Sequence, residues 1–320
     1  MLQIEPLSDA QTAFEIYRAA IEADTPDLPL GSLEAFAARQ RWPWPGNATE
    51  FHLATLDGVP AGYVELGLPQ LDNLGSVNVQ LFVHPGHRRR GVGRALHAFT
   101  VDRTRALGRE HVIAPTTDRG PAGAAFATAM GAKPGLAEIR SRLDVGTVDL
   151  DRLSAPAAAG YRLVQWVSVA PEEYLDDLAY LEGRLNEDAP SGDLAREAEK
   201  VDADRFRAVE EAMRIRGRTA FHTGVVHEAC GRLVGSTMIA VAADAPWHGW
   251  QNITIVGPGH RGHRLGLLIK IENLRHTLRR SPELRAIDTF NAAENTHMLG
   301  INRTMGFREV DAWTQWQQSV

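Results

Sequence analysis

The chain has 320 residues, 44% of them hydrophobic, with 34 Lys and Arg against 40 Asp and Glu and a net charge of −6. That length fits about two domains, the acidic balance argues against nucleic acid as the main partner, and no apolar run approaches the ~20 residues of a membrane helix. A single cysteine, Cys230, excludes a disulfide framework and suits a reducing, cytoplasmic setting, and the opening residues MLQIEPLSDAQ give no signal-peptide pattern.

In chain order, residues 2–7 read as a strand. A helix follows over 10–23, with Ser8-Asp9 as its cap and Ala13, Ile16, Tyr17 and Ala20 as its apolar face. After a proline-broken loop comes a short helix over 33–41 and a rigid aromatic turn, Trp42-Pro43-Trp44-Pro45-Gly46. Residues 51–56 and 61–68 alternate about Asp57-Gly58, a hairpin signal. An apolar strand (Val77, Val79, Leu81, Val83) then runs into His84-Pro85 and the loop Arg88-Arg89-Arg90-Gly91-Val92-Gly93, and a helix to residue 107 starts at once. A strand over 111–114, a helix over 122–130 and a strand over 138–144 complete the first half.

Residues 147–160 are small, proline-bearing and without amphipathic period, which marks a linker. Two domains are expected, 1–148 and 161–320, joined by 149–160. The second half repeats the order: a strand over 161–169, helices over 171–185 and 204–216, and a hairpin of 220–228 with 233–242 about Cys230-Gly231. A strand over 251–256, a helix over 265–279, a strand over 286–290, a helix over 296–305 and a strand over 308–315 finish it. Each half is expected to be mixed α/β (α+β), a mostly antiparallel sheet flanked by helices and broken by one central strand–loop–helix.

That central unit is where chemistry enters. A strand that delivers a glycine-bearing loop to a helix N-terminus gathers backbone N–H groups and helix-dipole charge, and the glycines admit a phosphate close to the main chain. The unit occurs twice. Val83-His84-Pro85-Gly86-His87-Arg88 aligns with Val256-Gly257-Pro258-Gly259-His260-Arg261, an offset of 173 from 88 to 261, and Met130-Gly131 aligns with Met305-Gly306, an offset of 175 from 131 to 306. Two anchors at nearly one offset indicate tandem homologous domains.

Neither a Walker loop nor a complete dinucleotide fingerprint is present. What remains, Arg-x-x-Gly-x-Gly at Arg88, Gly91 and Gly93, resembles the acyl-coenzyme A loop of the GNAT superfamily of N-acyltransferases. The resemblance implies two tandem GNAT-like domains, an architecture similar to that of the mycothiol synthases, although no motif selects them. It implies acetyl-CoA held in the first domain by Leu81, Phe82, Val83, Arg88, Arg89, Arg90, Gly91, Val92, Gly93 and Arg94. In the second domain the matching positions are Ile255, Val256, Arg261, Gly262, His263, Arg264, Leu265 and Gly266, with Asn291 and Asn295 toward the pantetheine arm or the loop.

Acyl transfer to an amine also needs a backbone N–H toward the thioester oxygen and a base for the amine proton. Many members of the family carry a tyrosine in the helix before Gly-Phe to reprotonate the thiolate, and neither 122–130 nor 296–305 contains one. Glu65 reads as a solvated strand glutamate, and His222, His227 and His248 as surface or core histidines, so no catalytic residue and no metal ligand is assigned. Arg264 replaces Gly91 in the second loop, where its side chain either crowds the place of a pyrophosphate or meets a phosphate through its guanidinium. Three functions stay open: an N-acetyltransferase acting on a small-molecule amine, a related acyltransferase with another acyl donor, and a non-catalytic CoA-binding or scaffolding protein. No membrane or nucleic-acid partner is expected, and a homodimer is left open.

Overall fold

The structure, a computed structural model, describes residues 1–155 and 159–320; residues 156–158 of the expected linker lie outside the described residues. Two compact units form. Unit 1 comprises Met1–Glu138, Ser191–Glu197 and Asp311–Val320, and unit 2 comprises Ile139–Pro190 and Ala198–Val310.

In unit 1 the strands β1 (Leu2–Pro6), β2 (Asn47–Leu56), β3 (Val59–Pro69), β4 (Ser76–Val83) and β5 (His111–Thr117) lie side by side in that order, and β12 (Arg308–Ser319) follows β5. The Asp57-Gly58 turn, both residues at positive φ, closes β2 on β3 as the sequence predicts. Period-two alternation then sends β3 side chains to two faces. Val64 and Leu66 join Val92 and Leu96 of α3 (Val92–Ala106) in one core cluster. Tyr63 goes to the other face, against Ala13 and Ile16 of α1 (Ala10–Asp24) and Phe36 of α2 (Leu33–Arg41). Asp9 caps α1 and Ser32 caps α2 through their side chains.

Unit 2 repeats the plan. Its strands run β6 (Lys133–Asp144), β11 (Ala286–Ala292), β10 (His248–Val256), β9 (Leu233–Ala242), β8 (Arg218–His227) and β7 (Tyr161–Val167). The helices α5 (Leu175–Asp188) and α6 (Ala203–Ile215) correspond to α1 and α2, α7 (Leu265–Leu278) to α3, and α8 (Thr296–Met305) to α4 (Pro121–Ala129).

The units differ from the expected boundaries, since Ser191–Glu197 joins unit 1 and the last strands change places. Residues 139–148 belong to unit 2 and 311–320 to unit 1, so each unit takes its sixth strand from the other half of the sequence. Trp313 to Ser319 pair antiparallel with Thr117 to His111 of β5. In unit 2, Arg140 and Arg142 of β6 reach the buried Asp288 of β11, at 2.9 Å and 2.6 Å.

One shared feature opens each sheet. β4 pairs with β5 in parallel only through Ser76, Val77 and Asn78, although its residues up to Val83 stay laddered to β3. Likewise β10 pairs with β11 only through His248, Gly249 and Trp250. Past those points the parallel strands no longer share a ladder, and the opening faces the loop that leads to α3 or α7. The two central strands are not identical: β4 keeps its register against β3, whereas β10 carries a bulge between Gln251 and Thr254.

Candidate functional site

The two loops share one backbone shape. A short 3-10 turn, Pro85–His87 or Pro258–His260, follows the strand, and two left-handed residues precede the helix. In unit 1 these are Arg89 at φ 62° and Gly91 at φ 87°; in unit 2 they are Gly262 at φ 87° and Arg264 at φ 58°. Each loop therefore places one glycine and one arginine at the two positions, in opposite order. Neither α3 nor α7 has a side-chain cap, so backbone N–H groups of the first turn, Val92 to Arg94 and Leu265 to Leu267, are presented toward the loop. A β-carbon added to Gly91 would meet nothing within 4 Å. That open space beside an uncapped helix start suits a phosphate group; in unit 2 the Arg264 side chain starts from the same position.

The arginine that the two loops share at Arg88 and Arg261 braces the end of its strand. Arg88 donates from both terminal nitrogens to Asp24 at 2.8 Å and from Nε to the Val83 carbonyl. Arg261 repeats this with Asp188 and the Val256 carbonyl. Both guanidinium groups tie the strand end to the last residue of α1 or α5, beside the loops that the sequence assigns to the cofactor. Arg89, Arg90 and Arg94 are exposed. Val92 and Leu265 are buried under their helices, Gly93 faces Phe126 and Val83, and Gly266 faces Ile301. His263 stands 5.6 Å from the Tyr161 ring. Leu81 and Val83 pack on the α3 face with the first core cluster, and Phe82 turns to the α1 face. In unit 2, Ile255 is buried and Val256 packs partly buried beside Leu265.

The two asparagines are also committed. Asn295 accepts from the Met298 N–H and caps α8. Asn291 accepts from Asn302, whose own oxygen accepts from the buried Lys270 at 2.8 Å. Their side chains serve the helix and this buried chain, within the unit that the sequence assigns to a second cofactor site.

On the α1/α2 face of unit 1 the structure assembles a polar group inside an aromatic wall. Glu65 of β3 lies opposite Gln80 of β4, and Tyr63 opposite Phe82. The Tyr63 and Phe82 rings stack with centroids 5.3 Å apart, Tyr17 meets Phe82 edge-on, and Phe36 meets Tyr63. The Arg39 guanidinium lies over Phe36 at 4.9 Å, with its Nη2 3.2 Å from the Glu65 carboxylate. Glu65 is only 15% exposed in its side chain, so the solvated reading of this residue is overturned. Burial pushes the Tyr63 hydroxyl well above its ordinary pKa, with Arg39 opposing, and it stays a neutral O–H.

The matching face of unit 2 is different. By the same offset of 173, Tyr63 and Glu65 correspond to Ser236 and Met238. His222 is buried there, stacked on Trp166 at 4.9 Å, and burial with a contribution from His276 lowers its pKa to about 3. A neutral imidazole of that kind takes up no proton at neutral pH.

The Acetyltransferase (GNAT) family model matches residues 14–132. Among solved structures, a tandem GNAT protein from the clavulanic acid biosynthesis pathway, solved without acetyl-CoA, matches 100% of this chain and 98% of its own, at 33% identity and a TM-score of 0.86. The chain belongs to the GNAT family. A GCN5-related N-acetyltransferase from Sphaerobacter thermophilus shares the fold over 99% of this chain and 95% of its own, at 17% identity and a TM-score of 0.74. A putative acetyltransferase from Pyrococcus horikoshii does so over 100% and 89%, at 14% identity and a TM-score of 0.57. No curated protein matches the sequence significantly.

The tandem GNAT architecture read from the repeated loop is therefore present. The family match covers the first loop and the Arg39–Glu65 group, both in unit 1. Of these, Arg39, Tyr63 and Tyr17 carry no motif; their only signal in the sequence is an arginine and two tyrosines on faces otherwise apolar. Lys270 had a plainer signal, a lysine inside the apolar run Leu267-Leu268-Ile269-Lys270-Ile271. No helix among the described residues is long and apolar enough to cross a membrane.

Proposed function

We propose that this tandem GNAT protein transfers an acetyl group from acetyl-CoA to the amine of a small molecule, at unit 1. The observation that carries the reading is the combination, in one unit, of an uncapped α3 with open space at Gly91, a β4–β5 pair that parts beyond Asn78, and a carboxylate on the far face at Glu65.

The residues present fit the cofactor. The N–H groups of Val92, Gly93 and Arg94 would receive pyrophosphate oxygens, with Arg89 and Arg90 adding positive charge nearby. Bound there, acetyl-CoA would supply an activated acetyl group whose carbonyl carbon would bond to the amine nitrogen as the C–S bond breaks, the sulfur leaving as a thiolate that takes the second proton shed by the nitrogen. The freed edge of β4 at Leu81 to Val83 offers backbone N–H groups, the donors that a developing oxyanion requires. An alkylamine with a pKa near ~10 arrives mostly protonated, and Glu65, on the face shared with Phe82, is the carboxylate placed to receive its proton.

Gly91→Glu tests the cofactor half of this reading. It adds bulk and negative charge in the space beside the helix start, so calorimetric binding of acetyl-CoA should fall by about 100-fold or more, with the melting temperature as a check on folding. Undiminished affinity in a folded variant would remove the assignment.

A further inference from the structure

We infer that the Arg39–Glu65 group of unit 1 is a recognition site for a small amino-carboxylate, an acceptor carrying an ammonium and a carboxylate close together. The inference rests on the acyl-transfer reading above and names its substrate class.

The first observation is the state of Arg39. Its Nε and Nη2 atoms are buried, and neither has a hydrogen-bond partner. These two nitrogens form one edge of the guanidinium, the edge that meets a carboxylate with two parallel N–H···O bonds. Nη2 is near enough to Glu65 for charge attraction at 3.2 Å, but the contact does not make a hydrogen bond. The Arg39 ring contacts explain why the group does not swing out to water: it lies over Phe36 and, at 5.8 Å, over Tyr17. A buried, charged donor edge left without hydrogen bonds is expensive in a folded protein. A ligand carboxylate would satisfy both donors at once.

The second observation is Tyr63. It is fully buried, and its hydroxyl makes no well-aligned hydrogen bond, the Arg39 guanidinium being the donor that it faces. Burial keeps it protonated, so it is a donor and acceptor within the same group. The third is the wall. Tyr17, Phe36, Tyr63 and Phe82 pack against one another on the face that carries Glu65, and a carboxylate shielded from water by apolar neighbours attracts an ammonium ion more strongly than one in bulk solvent.

Spacing selects among amines. Arg39 and Glu65 stand in direct charge contact, so a ligand that engages both must carry its opposite charges only a few atoms apart. An α- or β-amino acid does so. A polyamine offers no carboxylate for Arg39, and an aminoglycoside presents amines without an adjacent anion. Ser236 and Met238 occupy the corresponding positions of unit 2, so the recognition group is particular to unit 1.

The test is calorimetry on the full chain saturated with coenzyme A. The probes are the common α-amino acids and β-alanine, set against their decarboxylated amines and putrescine. One or more amino acids should bind, with the matching amine about 10- to 100-fold weaker. Arg39→Gln should remove that preference, and Arg39→Lys, which keeps the charge and loses the planar fork, should remove most of it. Equal affinity for acids and amines, a preference that survives in both variants, or no heat from any probe would overturn the proposal. The coenzyme A titration that precedes it is read separately. Failure there defeats the acyl-transfer reading, whatever the amino acids do.

Discussion

Lys270 is the residue whose environment is most at odds with its charge. It lies fully buried on α7, donates to Asn302, and places its ammonium 5.2 Å from the Phe307 ring. Burial lowers its pKa from 10.5 to about 7. The unfolded chain therefore binds a proton that the folded chain resists across the interval from about 7 to 10.5. Stability from this site rises with pH through that window, and the loss is complete below about pH 7. Lys270→Met removes the titrating group. Its stability relative to the parent should improve on going from about pH 10 to about pH 6 by a few kcal/mol, on the scale of ~1.4 kcal/mol per pKa unit. Leaving Asn302 without its donor costs about 1–3 kcal/mol at every pH, so the slope rather than the absolute difference is diagnostic. Parallel denaturant midpoints across pH for parent and variant would show that Lys270 does not titrate as its burial requires.

At the scale of elements, the repeated strand–loop–helix unit separates what a sequence states locally from what only the backbone reveals. Hairpins, caps and the strand–loop–helix units were legible because their signals are local: Asp57-Gly58 closes β2 on β3, and Asp9 caps α1. The opposite order of glycine and arginine in the two loops needed the backbone. Only the φ values reveal that Arg89 and Arg264 both sit in the left-handed region that L-residues avoid. The Arg39–Glu65 group was illegible for another reason, since its members come from α2 and β3 and meet only after the sheet forms. With Arg264 rooted in the space that Gly91 leaves open, one acetyl-CoA per chain is expected. Arg264→Gly should raise the stoichiometry toward two, and relief of the left-handed arginine should leave stability equal or higher by about 1 kcal/mol. Two molecules per parent chain would show that the guanidinium serves the phosphate instead of excluding it.

At the scale of the whole molecule, the sixth strands tie the two halves of the sequence into each other's folds. The repeat was legible in the 173 and 175 offsets, but the exchange was not. Strand β12 contains no residue that names β5 as its neighbour, and the pairing is chosen by which sheet edge is left open. Its contacts in unit 1 are specific: Arg119 to Asp311 at 3.0 Å, Trp316 to Thr116 at 2.8 Å, and His97 to Gln318 at 2.7 Å. Chain ending at Val310 would leave β5 as a bare edge, with seven residues from His111 to Thr117 lacking their partners and exposed to pairing with other chains. It would also strip the strand that His97 of α3 leans on through Gln318. Such a truncation should lose acetyl-CoA binding although every loop residue from Leu81 to Arg94 is intact, and should aggregate on warming. Unit 2 keeps β6, with Arg140 and Arg142 on Asp288, where burial acts to raise the carboxyl pKa but the hydrogen bonds of Arg142 and His248 hold it well below the usual range. Two transitions should therefore replace one in calorimetric melting, the lower belonging to unit 1. Retention of a single transition with full acetyl-CoA affinity would mean that β12 is dispensable and that unit 1 is complete without it.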